Sequence, residues 1–362
     1  MKTTGLYIHY PFCRKICPYC HFIKTLKREQ TESLYFEALK GEIKIITSLM
    51  LKFDTLYFGG GTPSLMSSKI VKILEWIFKY LETEFKEISI EVNPEDVPFE
   101  FIKILKKSGV TRVSLGIQQF NEKLLKILRR EHTLSDILKA VEKLKKENFV
   151  LNYDFIIGIP EESMSNLEKS IKFIEKHPPD SASIYILEGV KGKYWQKFKE
   201  LEEDKKVEHF SMFEKFLESM GISRYEISNF SVKGKESLHN LKYWNYENFI
   251  GIGPSAASLL NNKRWENKSS IYSWSEAIKK GKPPSDKIFE LSLSERAKEA
   301  VMMGLRKVKG INRKEFKLRF GGFPETFIPT FNEKKSFFEI GNYLKVKKEF
   351  LLIINSVLDG LF

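Results

Sequence analysis

Six short apolar runs alternate with longer amphipathic ones through the first half of the chain, and this alternation restricts the fold more than any other feature. The strand-like runs cover 6–10, 55–58, 88–92, 112–117, 151–157 and 183–187. Between them, apolar residues recur at i, i+3 and i+4 over 31–51, 67–81, 98–107, 134–146 and 164–176, the helical period. Ser67 and Asn166 read as N-cap or first-turn residues, and Gly109 as a helix stop. Successive strand–helix units build a parallel sheet, which closes either as a doubly wound sheet or as a barrel. A doubly wound sheet concentrates its site at one switch point, whereas a barrel collects residues from many strands at one mouth. Cys13, Gly59, Glu91, Gln118 and Asp154 each fall at or near the C-terminal end of a different run. That spread predicts an α/β chain with a partial (β/α)6, TIM-like barrel.

After about Gly221 the rhythm changes. Segments 222–230 and 237–258 are rich in aromatic, Asn and Gly residues and read as irregular strands and loops lying against the barrel. Lys282-Pro-Pro-Ser285 reads as a linker. The expected organisation is a barrel with accessory strands over 1–285 and a small helix-rich, winged-helix-like domain over 286–362. Gly251-Ile-Gly253-Pro-Ser-Ala256 fits a dinucleotide fingerprint, but no clear strand leads into it and Pro254 sits inside the turn. It is expected to be a tight loop, with a place at the border of the ligand pocket left open.

With 42% hydrophobic and 13% aromatic residues, the chain has ample material for a packed core. No run of eighteen apolar residues occurs, and the N-terminus shows neither an apolar h-region nor a cleavage signal, so a cytoplasmic protein is expected. The net charge of +13 reads as lysines on solvated helix faces; base-reading motifs are absent and no nucleic-acid partner is expected.

Three cysteines do not staple a secreted domain. Cys13, Cys17 and Cys20 are the only ones, and all lie within eight residues just after the first strand. Random scatter would give such clustering on the order of one time in a thousand. Zinc sites ordinarily pair two Cys-x₂₋₄-Cys units, and no fourth cysteine exists here. Three thiolates from one loop suit a four-iron cluster that keeps one iron open.

Tyr7-Ile-His-Tyr-Pro-Phe-Cys13-Arg-Lys-Ile-Cys17-Pro-Tyr-Cys20-His-Phe resembles the signature of radical S-adenosylmethionine (SAM) enzymes. More narrowly it resembles the oxygen-independent coproporphyrinogen oxidase group and its heme-chaperone branch, over nearly the whole chain. The resemblance implies a 4Fe–4S cluster on Cys13, Cys17 and Cys20 whose open iron chelates SAM, and one-electron cleavage of SAM to methionine and a 5′-deoxyadenosyl radical. It implies SAM contacts from Tyr7, Tyr19, Gly60, Gly61, Thr62, Glu91, Gln118, Arg130 and Asp154. Glu91 corresponds to a partner of the amino group, Arg130 to a partner of the carboxylate, and Asp154 to an acceptor from the ribose hydroxyls. An arginine fork suits bidentate carboxylate binding, and Arg129 offers the same chemistry one residue earlier.

Two features bear on the branch. The oxidases carry a fourth cysteine two positions after the third, where this chain has Phe22, and they have an N-terminal extension absent here. His239-Asn-Leu-Lys-Tyr243-Trp244 is similar to the HNxxYW motif associated with heme in the chaperone branch, which makes His239 the expected heme ligand. If this segment is helical, His239 and Tyr243 share a face. The implied function is heme binding and delivery, with coproporphyrinogen III oxidase and a related radical SAM methyltransferase as alternatives. Implied partners are heme or a porphyrinogen, an electron donor such as flavodoxin or ferredoxin, and a heme-accepting protein, which can be membrane-associated.

Overall fold

The computed structural model describes residues 3–188 and 191–361. All six expected strands are present: β1 (Thr4–Tyr10), β2 (Lys52–Gly60), β3 (Glu82–Val92), β4 (Arg112–Gln118), β5 (Val150–Ile157) and β6 (Ser181–Ile186). They pair in sequence order and in parallel. Helices Glu29–Ile46, Lys69–Tyr80, Phe99–Lys107, Leu134–Leu144 and Met164–Lys176 return the chain between them. Their ends follow local chemistry. Thr133 and Asp136 cap each other reciprocally, Asn166 Oδ1 accepts from the Ser163 N–H at 2.9 Å, and Gly109 takes φ +69° after helix Phe99–Lys107. Ser67 does not cap; at φ +47° it ends the short turn Pro63–Met66, and Ser68 occupies the N-cap position.

The sheet does not close β6 onto β1. The free edge of β1 takes Phe249–Ile252 in parallel, and that of β6 takes Asn229–Ser231 antiparallel, so the barrel is partial and the sheet runs to twelve strands. The segments expected as irregular strands and loops against the barrel are thus edge strands of the main sheet, with one helix added. Both contribute strands, and Leu238–Trp244 is a helix whose N-cap Ser237 accepts from the Asn240 N–H. A strand also leads into the glycine turn, contrary to expectation, and none of residues 251–256 lines the cavity described below. The Gly253 N–H donates at 2.8 Å to Glu42 on helix Glu29–Ile46, so the turn holds a carboxylate of its own chain. At φ +98°, with His9 O only 2.5 Å from where a Cβ would stand, position 253 requires glycine.

The strands alternate strictly. Leu6, Ile8, Leu56, Phe58, Ile90, Val113, Leu115, Leu151, Phe155 and Ile184 join the core under the helices. The residues between them, Tyr57, Glu91, Arg112, Ser114, Asn152, Asp154, Ser183 and Tyr185, line the inside. A parallel barrel normally fills its centre with apolar layers; this one has a polar lumen.

A second core forms around Val301, Leu305 and Leu344 from helices Leu293–Gly304 and Arg313–Phe320 and a small sheet of Ile311–Asn312, Phe338–Ile340 and Tyr343–Val346. The expected boundary at residue 285 is corrected. Ser285–Glu290 is the outermost strand of the large sheet, so the second unit starts beyond it.

Glu87 and Arg112 meet inside the barrel with Nε to Oε2 at 3.0 Å, both almost fully buried. The Glu87 carboxylate also accepts from Ser237 Oγ and from the N–H groups of Leu238 and His239, at 3.0–3.1 Å. Glu87→Ala strands the arginine and three further donors, and should lower unfolding free energy by about 3–5 kcal/mol in denaturant melts. A loss below about 1 kcal/mol would show that the pair does not carry the floor of the barrel.

Candidate functional site

The cysteine loop is pinned at both ends. Phe12–Cys13 pairs with Thr25–Leu26, Thr25 N donates to Pro11 O at 2.7 Å, and Lys27 N donates to Cys13 O at 2.9 Å. Inside the loop, Cys20 N turns back to Cys17 O, and Lys24 Nζ holds the carbonyls of Cys20 and Phe22. All three cysteines are free thiols and line one cavity of about 630 Å³ at the C-terminal mouth of the barrel. Among the described residues no three His, Cys, Asp or Glu side chains gather tightly enough for a single ion. A 4Fe–4S cluster instead takes each thiolate on a different iron.

Glycines bring β2 against this loop. Gly61 N donates to Tyr10 O at 2.7 Å and Thr62 N to Phe12 O at 2.9 Å. A Cβ at position 61 would stand 2.7 Å from Phe12 O, so only glycine permits the approach. Gly60 N donates to Glu91 Oε2 at 3.2 Å, and Tyr57 OH to Glu91 Oε1 at 3.0 Å.

Glu91 and Asp154 face the same lumen. Burial and the nearby Asp154 charge push Glu91 up to about 7. Asp154 is raised to about 6 by burial, despite hydrogen bonds from Ser114 and Asn152 at 2.8 Å. Arg130 turns inward. Its Nη2 donates to Asn93 Oδ1 at 2.6 Å and its Nη1 lies 3.9 Å from Cys17 Sγ. Arg129, at φ +56°, instead stacks 4.0 Å from the Tyr194 ring centroid. Arg130 Nε and Gln118 Oε1 are buried without a hydrogen-bond partner, an arrangement that costs free energy unless a polar ligand engages them.

Cys13, Cys17, Cys20, Tyr19, Gly60, Gly61, Thr62, Glu91, Gln118, Arg130 and Asp154 thus line one cavity. Two expected residues do not. Tyr7 is absent from the lining, and its hydroxyl is bonded to His9 Nδ1 at 3.0 Å. His239, the expected heme ligand, lies outside the lining as well. It is wholly buried beneath β2, with Nδ1 2.9 Å from Thr55 Oγ1 and Nε2 2.7 Å from the Tyr243 hydroxyl. Burial pushes it down to about 3, and neither nitrogen faces the cavity. Sequence reasoning missed Asn93 and the lumen residues Ser114, Asn152 and Arg112; the period-two alternation of polar residues along β3–β6 was the signal for the last three.

Fold and site together define a radical SAM protein. A family model of the Radical SAM superfamily matches residues 7–174, and one of the HemN C-terminal domain matches 291–330. The "Heme chaperone HemW" of Lactococcus lactis is 34% identical over 328 residues, covering 88% of this chain and 86% of the relative. That of Bacillus subtilis is 31% identical over 343 residues, covering 91% and 90%. The chain belongs to the HemW family. Coproporphyrinogen III oxidase (HemN) from Escherichia coli shares the fold, with a TM-score of 0.87 at 19% identity over 99% of this chain and 90% of that one. The radical SAM family implies a 4Fe–4S cluster and SAM, and the residues fit both: free thiols on one cavity wall for the cluster, and unpartnered buried Arg130 and Gln118 atoms for the ligand.

A ligand ammonium needs Glu91 ionised, and the ligand-free carboxyl gives up its proton only near pH 7. Binding therefore releases a proton below that pH, and SAM affinity should rise roughly tenfold from about pH 6 to about pH 8. Glu91→Gln should flatten the profile in calorimetric titrations. An unchanged slope would detach Glu91 from the amino group.

Proposed function

We propose that the protein is a radical SAM heme chaperone, which binds heme reversibly and hands it to an acceptor protein in the cytoplasm. The observation that carries this reading is the kinship with HemW chaperones along about nine-tenths of both chains, the second unit included. In this reading Cys13, Cys17 and Cys20 hold the cluster. Arg130 grips the SAM carboxylate, Glu91 takes the amino group, and Asp154 takes the ribose hydroxyls. Gly60, Gly61 and Thr62 let the end of β2 approach the ligand closely, while Tyr19 and Gln118 complete the walls. The cluster, when bound, supplies an open iron for chelation and a one-electron reductant, charged by a small donor such as a flavodoxin or ferredoxin. The chain's own contribution is positioning: the lumen carboxylates orient the cation, and the pinned loop keeps the thiols at the mouth. The heme acceptor can be membrane-associated; no helix of the described residues is long and apolar enough to cross a membrane itself.

Arg130→Ala should weaken SAM binding by about 10- to 100-fold with cluster iron unchanged, because the guanidinium serves the carboxylate and not the metal. Arg130→Lys should not restore it, since an ammonium lacks the planar fork. Arg129→Ala should bind SAM normally; the reverse pattern would exchange the two roles.

The function itself is tested in one anaerobically reconstituted preparation. Hemin should bind stoichiometrically and pass to an apo heme protein, and with SAM and reductant present coproporphyrinogen III should be recovered unchanged. Robust decarboxylation would make the protein an oxidase instead.

A further inference from the structure

With His239 sealed beneath the barrel, the heme of the proposed function needs another ligand, and the six histidines of the chain narrow the choice. His9 has both ring nitrogens engaged, by the Tyr7 hydroxyl and Ile23 O, at 3.0 Å each. His132 lies buried between Ile117 O and Glu95. His209 is buried against Glu162 at 2.9 Å. His177 ends helix Met164–Lys176 against Phe173, at the face of the barrel opposite the mouth. His21 differs from all of these. It is exposed, lines the rim of the cavity, and makes no hydrogen bond among the described residues.

Its surroundings carry the other recognition elements of an iron porphyrin, a planar apolar ring with two carboxylates on one edge. The neighbouring Phe22 is 70% exposed, and Ile23 next to it and Ile16 earlier in the same loop are exposed as well, apolar side chains that cost free energy in water. Arg14 and Lys15, each about half exposed, lie on the same rim. Arg14 keeps donors beyond its one bond to Asp96, and Lys15 is only loosely paired, 4.0 Å from Glu131. No acidic residue occurs between positions 14 and 28. The backbone that presents His21 and Phe22 is held, because Lys24 Nζ spans the carbonyls on either side of His21.

We propose that heme docks on the rim of the cavity, with His21 as the iron ligand, Phe22 against the porphyrin and Arg14 and Lys15 at the propionates. The site rests on the heme-chaperone reading and adds to it a place and a ligand. A single histidine on an open rim leaves most of the porphyrin accessible, which suits release to an acceptor better than an enclosed pocket does.

Hemin titrations of the full chain, followed by absorption and low-temperature EPR, test it. His21→Ala should weaken hemin binding at least about tenfold and remove the histidine-ligated spectrum, while His239→Ala keeps both. Free imidazole should restore that spectrum in His21→Gly, which a structural role for His21 would not produce. Phe22→Ala should weaken binding several-fold with the ligation spectrum retained. Iron–sulfide content should be the same throughout. If His21→Ala binds hemin as the wild type does, the rim site is wrong while the chaperone reading stands. If the wild type binds no hemin at all, that reading falls and the site with it.

Discussion

The buried pair of Glu87 and Arg112 is the constraint from which the rest of the structure follows. Two charges withdrawn from water are tolerated only when each is fully partnered, and here the partners come from distant parts of the chain. Arg112 donates to Glu87, to Ser181 on β6 and to the carbonyl of Lys235. Glu87 receives the first turn of helix Leu238–Trp244, where the free N–H groups and the helix dipole favour a carboxylate. One ion pair thereby joins β3, β4 and β6 and seats the helix that plugs the floor. The plug is held from its other end as well, since Arg319 of the second unit caps the carbonyls of Asn245 and Tyr246.

With the floor satisfied internally, the mouth is left with polar groups that the chain does not fully satisfy. Asp154 raises the cost of ionising Glu91 across the lumen, burial raises that of Asp154, and Arg130 and Gln118 keep unpartnered atoms nearby. Such a surplus is costly in a free protein and is offset on binding a ligand of complementary charge. The polar lumen thus has two ends with different functions, one mechanical and one chemical.

HemN shares this architecture along almost the whole chain, so architecture does not separate a chaperone from an oxidase. On the rim of this chain, Phe22 and His21 stand exposed side by side directly after Cys20.

The order of strands, the positions of the main helices and the membership of the cysteine loop were legible in the sequence, because periodicity and spacing are local properties. So was the pairing of His239 with Tyr243, whose shared helical face is realised as a 2.7 Å bond. Which way that face points was not legible: the helix axis is set by Glu87, about 150 residues away in the chain. Chemistry alone made Arg129 and Arg130 equivalent; both border the cavity, and only the fold engages Arg129 with the Tyr194 ring while Arg130 reaches Asn93 and Cys17. The glycine turn at 251–256 carried the pattern of a dinucleotide fingerprint, but tertiary packing set Glu42 against it. In each case sequence specified the groups, and burial, which depends on what the rest of the chain brings alongside, decided whether they face a ligand or one another.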